Sequence, residues 1–313
     1  MLDILSGIGA IELIERTSST LRVQQVVQLS LAPAFLLAGI GFAWVKLGFE
    51  YRIQFVTQLA MTLSVPCLIF VSLMTTQIDP AALSALSLAT VAAYGGVTLL
   101  AALIVRVFGL NRRTYLAPMI FGNTGNLGLP LALFAFGDTG LGYAVVVFAI
   151  MAIWSFTFGI WLVAGSGSFG KVIREPLVWG TALGALFLVQ GWETPVFLTN
   201  TLSLLGQMAI PIMLITLGVA VARLSPGGIG RAVVLSLIKL AICIGIAALA
   251  GWFFDLDKIA FGVLVLQVAT PVAVTSYLLA EKYGADAQSV AGLVVVSTVL
   301  SVAALPLILG FLL

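Results

Sequence analysis

The sequence predicts an all-α polytopic membrane protein. Ten transmembrane helices form two inverted five-helix repeats, and helices 4 and 9 are broken and cross one another. Three observations predict this fold class. The 313 residues are 61% hydrophobic and only 8% charged, with a mean hydropathy of +1.20, whereas a soluble domain carries about 25% charged residues. Apolar runs of bilayer-spanning length, about 20 residues, recur along the whole chain. Two of these runs carry glycine, proline and amide residues in their middle, where an unbroken helix in lipid would have no use for them.

Residues 1–24 come first. Met1, Ile4, Leu5, Ile8 and Ile11 recur at helical spacing among Asp3, Glu12, Glu15 and Arg16. That pattern predicts an interfacial amphipathic helix, with a frayed tail as the alternative, rather than a signal peptide. The spanning runs follow at 27–48, 55–77, 81–106, 115–137, 142–164, 175–191, 196–222, 231–253, 259–281 and 287–312. Residues 25–164 therefore hold the first five helices and 165–313 the second five. The loops are too short to contain a soluble domain.

Basic residues set the orientation. Lys46, Arg52, Arg106, Arg112, Arg113, Lys171, Arg174, Arg223, Arg231 and Lys282 fall in alternate loops, while the remaining loops hold only Lys258. The positive-inside rule makes the first set cytoplasmic. Both ends of the bundle then lie outside the cytoplasm, in a multi-pass protein of the cell (inner or plasma) membrane.

The two halves match. Pro33, Gly41 and Gly48 in helix 1 repeat as Pro176, Gly184 and Gly191 in helix 6, with the same spacings of 8 and 7. Ser64-Val65-Pro66 in helix 2 is answered by Ala209-Ile210-Pro211 in helix 7, and Pro130 in helix 4 by Pro271 in helix 9. An odd number of spans per repeat places the halves in opposite orientation, as in secondary transporters.

Helix 4 reads LAPMIFGNTGNLGLPLALFAF over residues 116–136. Gly128 and Pro130 there, like Pro271 in helix 9, are read as the helix breaks, because glycine and proline cost a helix roughly 1 and 3 kcal/mol. A break within the bilayer is tolerated where it is buried in protein or lines a cavity. The half-helix ends so created carry about half an elementary charge each, positive at N-termini. Asn123 and Asn126 supply amide donors and acceptors at that point, and Gly125 allows close backbone approach. Gln267 and Thr270 are their counterparts in helix 9. These five are the expected substrate-binding residues. Each has a plainer role, as a helix cap or as packing between helices.

Lys239 lies eight positions past Arg231, hence about 12 Å along a helix into the membrane. A charge at that depth marks function or a paired structural role. It is expected to compensate the negative half-helix ends, unless it reaches back to the interface.

Absent residues exclude several classes. The chain has no histidine, and its two cysteines, Cys67 and Cys243, sit in apolar runs, so neither a metal site nor a disulfide is expected. No cofactor is expected, and no enzyme, since the spans hold no nucleophile–base pair. The net charge of +2 is spread over loops and indicates no nucleic-acid surface. No Asp or Glu lies within either break, which argues against a cation antiporter.

Asn123-Thr124-Gly125-Asn126-Leu127-Gly128-Leu129-Pro130 resembles the N-x-x-x-x-G-x-P motif of the auxin efflux carrier family. Gln267-Val268-Ala269-Thr270-Pro271 followed by Ala280-Glu281-Lys282-Tyr283 is similar to that family's second broken helix. Val65-Pro66-Cys67-Leu68-Ile69-Phe70, Ser297-Thr298 and Pro306 extend the resemblance over residues 27–313. Asn126 is not part of the family pattern, and residues 1–24 have no counterpart in it. The resemblance implies an NhaA-like crossed-helix fold, with a scaffold of helices 1, 2, 6 and 7 and a transport domain of helices 3–5 and 8–10. It also implies a homodimer that moves a small organic anion by an elevator-type alternating-access mechanism. The alternative is a sodium-coupled organic-anion symporter of the bile-acid type, with Na+ held by Asn123, Asn126, Gln267, Thr270 and backbone carbonyls.

Overall fold

The structure, a computed structural model, describes residues 32–75, 80–164, 176–224 and 227–312. The amphipathic helix expected over 1–24 lies outside the described residues, as do Lys171 and Arg174. Every described element is helical. They are α1 (Ala32–Lys46), α2 (Ile53–Thr75), α3 (Pro80–Val107), α4 (Arg112–Ile120), α5 (Leu129–Trp154), α6 (Ile160–Ala164), α7 (Pro176–Gln190), α8 (Val196–Gln207), α9 (Ala209–Arg223), α10 (Ile229–Phe253), α11 (Lys258–Val268), α12 (Val274–Lys282) and α13 (Ala287–Leu312). No strand occurs among the described residues; a lone antiparallel bridge pairs Gly122 with Val272.

Six continuous helical stretches are long and apolar enough to cross a bilayer, and α1, α7 and α11 are shorter apolar helices. The longest, Thr124–Val163, has 40 residues. Straight, it would measure about 60 Å, twice the hydrocarbon thickness of about 30 Å. Gly137 interrupts it at φ 66°, ψ −159°, a backbone region essentially restricted to glycine. Asp138 follows at once, so the chain turns at the polar position between the fourth and fifth apolar runs.

Of the three π turns among the described residues, two precede prolines and the third, Ser155–Gly159, does not. Wide turns with i→i+5 bonds occupy Ala60–Ser64 and Thr124–Gly128, and each ends two residues before a proline, Pro66 or Pro130. A proline removes one donor from the helix ladder. Here the donor is missing where the ladder is already shifting register, the setting in which π turns and kinks occur.

Packing sorts the helices into two groups. α1 lies against α9, and α2 against α7 and α8. α3, α4, α5, α10, α11, α12 and α13 pack on one another. Small residues let backbones meet in the first group. A Cβ on Gly41 or Gly218 would strike the backbone of Ile215 or Ala38, and one on Gly180 or Gly184 would strike α2 at Pro66 or Phe70–Leu73. Large side chains such as Leu127, Leu129, Leu131, Leu214 and Leu264 fill the core around the breaks.

Candidate functional site

The site is built where two helices come apart. Phe121–Asn123 separates α4 from the Thr124–Gly128 turn, and Ala269–Ala273 separates α11 from α12. The two extended segments run antiparallel and bond to each other. The Asn123 amide donates to the Pro271 carbonyl (2.7 Å), and the Ala273 amide donates to the Phe121 carbonyl (3.3 Å). Each break therefore satisfies part of the other's freed backbone, which hydrocarbon could not do. Further partners come from side chains. Ser297 on α13 accepts from the Val272 amide (3.0 Å), and the Thr270 hydroxyl donates to the Gln267 carbonyl (2.6 Å).

The unwound residues of the first break lie upstream of Gly128 and Pro130. Both of those sit within helical backbone, Pro130 in the first turn of α5. Pro271 lies within the second break. Gly128 has a packing role, since a Cβ there would collide with the Gln267 carboxamide; one on Gly122 would collide with the Thr270 hydroxyl.

A cavity of ≈ 90 Å³ opens beside the crossing. Asn123, Gly125 and Asn126 line it from the first break, and Ala273, Val274 and Thr275 from the second. Both sets lie where a half-helix begins, so free N–H groups and positive helix ends converge there. Thr57, Met61, Phe148, Met151 and Met213 close the remaining walls. Asn123 is 5% exposed, yet its Nδ2 donor has no protein partner, and neither has the Thr124 hydroxyl. A buried donor left unpaired is costly, and Asn123 carries one at the edge of a cavity.

Of the other expected binding residues, Gln267 and Thr270 do not line this cavity. Gln267 is fully buried between α11 and α5, its amide 3.5 Å from the Ala144 carbonyl. Thr270 faces away, toward α10. There the Lys239 ammonium donates to the Thr270 carbonyl (3.1 Å) and approaches the Cys243 sulfur (3.7 Å). Lys239 is 3% exposed and is the only charged side chain buried among the described residues. It does not reach back to the interface; its charge sits at the C-terminal, partially negative end of α11. Sequence reasoning missed Thr57, Thr275 and the methionine and phenylalanine walls, because nothing in an apolar run says which of its residues face a cavity.

On the opposite side of the crossing a larger vestibule of ≈ 730 Å³ separates the two packing groups. Leu133, Phe134, Asp138 and Thr139 form one wall, and Ser72, Thr75, Ser203 and Gln207 the other. No cluster of His, Cys, Asp or Glu able to hold a metal occurs among the described residues.

An all-helical, multi-pass membrane protein with a polar, interrupted centre and a cavity beside it belongs to the class of membrane carriers. The chain is a member of the membrane transport protein family, whose sequence signature matches residues 26–172 and 168–309. This is the family to which the auxin efflux carrier resemblance points. Relatives agree. The chain is 29% identical over 192 residues to an uncharacterized transporter of Methanothermobacter thermautotrophicus, covering 59% of this chain and 63% of that one. It is 23% identical over 196 residues to an uncharacterized transporter of Methanocaldococcus jannaschii, covering 58% and 62%. It is 25% identical over 199 residues to a Rhizobium meliloti protein provisionally named a malonate transporter, covering 58% and 62%. The matched part thus spans less than two thirds of each relative's length.

Proposed function

We propose that this protein is a secondary transporter that moves a small organic anion, a carboxylate, by elevator-type alternating access. One observation carries the reading. Two half-helix N-termini meet at a small cavity lined by Asn123, whose buried amide donor Nδ2 has no protein partner. Oriented N–H groups and positive helix ends favour a carboxylate, and the Asn123, Asn126 and Thr275 side chains add hydrogen-bonding groups around it. The malonate named for the Rhizobium meliloti relative belongs to the same chemical class.

The frame proposed is ten crossings in two inverted repeats. The break between α4 and α5 and that between α11 and α12 each divide one crossing, and Gly137 separates two crossings. Pairing supports the repeat. Gly41 of the first helix packs on α9, in the seventh crossing, and its counterpart Gly184 of the sixth packs on α2, in the second. Regular α-helix is also interrupted before the matched prolines Pro66 and Pro211, by a π turn in α2 and at Met208 between α8 and α9.

α1, α2 and α7–α9 would form the scaffold and the second packing group the moving domain, with the vestibule and the cavity as access routes from opposite sides. The scaffold faces are also the proposed homodimer contact. The cell membrane, with both ends of the bundle outside the cytoplasm, remains the proposed location.

Lys239 would supply a fixed positive charge at the α11 C-terminus, where a coupling cation would otherwise be needed. This favours sodium-independent transport over the sodium symporter. A thermal-shift screen of purified protein against small carboxylates tests the function, because a ligand that binds only the native state stabilises it. Stabilisation by carboxylates with or without sodium is expected. No response to any carboxylate would overturn the reading.

A further inference from the structure

The cavity beside the crossing has no basic side chain in its lining among the described residues. Its polar groups are amides, hydroxyls and backbone N–H groups. The only buried cation among the described residues is Lys239, and it reaches the crossing from the far side. Its ammonium bonds the Thr270 carbonyl, and the next residue's carbonyl, that of Pro271, accepts from the amide of Asn123. The Cys243 thiol lies beside Lys239, and the Tyr94 hydroxyl of α3 lies beside Cys243 in turn, both fully buried. Both are ordinarily neutral near pH 7. Among the described residues, no carboxylate lines either the cavity or the Lys239 pocket. The fixed formal charge built into the crossing is therefore one positive unit.

We propose that the cavity takes one negative charge at a time: a small monocarboxylate, or a dicarboxylate only as its singly protonated monoanion. The inference rests on the carboxylate-carrier reading and deepens it. Charge balance is the reason. One monoanion on one side of the crossing and one buried ammonium on the other make the loaded crossing neutral, whereas a dianion leaves an uncompensated charge in a low-dielectric interior, which is strongly disfavoured. The walls agree, since Met61, Phe148, Met151 and Met213 give the remainder of the cavity an apolar surface suited to a hydrocarbon body.

The test uses the full-length wild-type protein and two probes of the same skeleton, malonate and monomethyl malonate. The half-ester is a monoanion at every pH above the ionisation of its single carboxyl. Binding of each is measured by calorimetry or thermal shift across a pH series above the second ionisation of malonate. The half-ester is expected to bind with a pH-independent Kd. Malonate is expected to weaken about tenfold per pH unit, as its monoanion is depleted. A pH-independent Kd for malonate, or rejection of the half-ester while malonate binds, would overturn the monoanion inference and leave the carrier reading standing. Failure of both probes and of every other small carboxylate at all pH values would overturn both.

Discussion

Asn123 and Lys239 occupy opposite sides of one pair of unwound backbone segments, and their substitutions should behave in opposite ways. The Asn123 Nδ2 has no protein partner, so Asn123→Ala removes a donor that stabilises nothing in the empty protein. We expect thermal stability within about 1 kcal/mol of wild type and at least about tenfold weaker carboxylate binding, since one charge-assisted hydrogen bond exceeds about 1.4 kcal/mol. Isothermal titration and an unfolding curve on the same sample check both halves. Lys239→Met instead strips the ammonium from the Thr270 carbonyl. A hydrogen bond to a charged group contributes about 1.5–3 kcal/mol, so this variant should unfold at a lower temperature. An unchanged unfolding midpoint would remove Lys239 as the charge that holds the crossing together. Gly128→Ala is expected to destabilise by about 1–3 kcal/mol through overpacking against Gln267, with denaturant or thermal unfolding as the measure.

At the scale of elements, hydropathy located the helices closely. The last apolar run, 287–312, coincides with α13, and the run 196–222 differs by one residue from the stretch Val196–Arg223. Length and apolarity alone decide those boundaries. The break in the fourth helix was legible as to helix but not as to residue. Gly128 and Pro130 are conspicuous, yet the chain unwinds at Phe121–Asn123, because a π turn accommodates the proline and because Pro271 and Ala273 offer backbone partners upstream. That pairing is a tertiary fact with no local signal. Which face of α11 bears Gln267 is likewise set by packing against Gly128 and Ala144, so a buried amide that looks like a ligand in sequence stays inside the core. Capping was unread but follows familiar chemistry. Asp286 precedes α13 and accepts from the Ser289 amide (3.0 Å) and hydroxyl (2.6 Å). Those hydrogen bonds, the Ser289 hydroxyl first, hold its carboxyl below the usual range. A depressed folded-state pKa stabilises the protein above the unfolded value of about 3.9 and loses that contribution as pH falls through the lower folded value. Asp286→Ala should cost about 1 kcal/mol at neutral pH and should lack that acid-side loss when unfolding is followed against pH.

For the whole molecule, the two packing groups matter more than any helix, because the vestibule of ≈ 730 Å³ and the cavity of ≈ 90 Å³ both lie along their boundary, on opposite sides of the crossing. The vestibule is lined by Asp138 and Thr139, beside the turn at Gly137. The cavity shares Thr57 and Met61 with the part of α2 that follows Arg52. If alternate loops are sorted by their basic residues, the vestibule faces outward and the cavity inward. A cysteine at Ser203, on the vestibule wall of α8, should then react with a membrane-impermeant maleimide added outside intact cells. Under the proposed elevator motion the bulky adduct should halt carboxylate transport, because it would wedge between the two groups that this motion slides past each other. Reaction only from the cytoplasmic side would reverse the orientation. Labelling without loss of transport would show that this boundary does not move, and an elevator could not be retained.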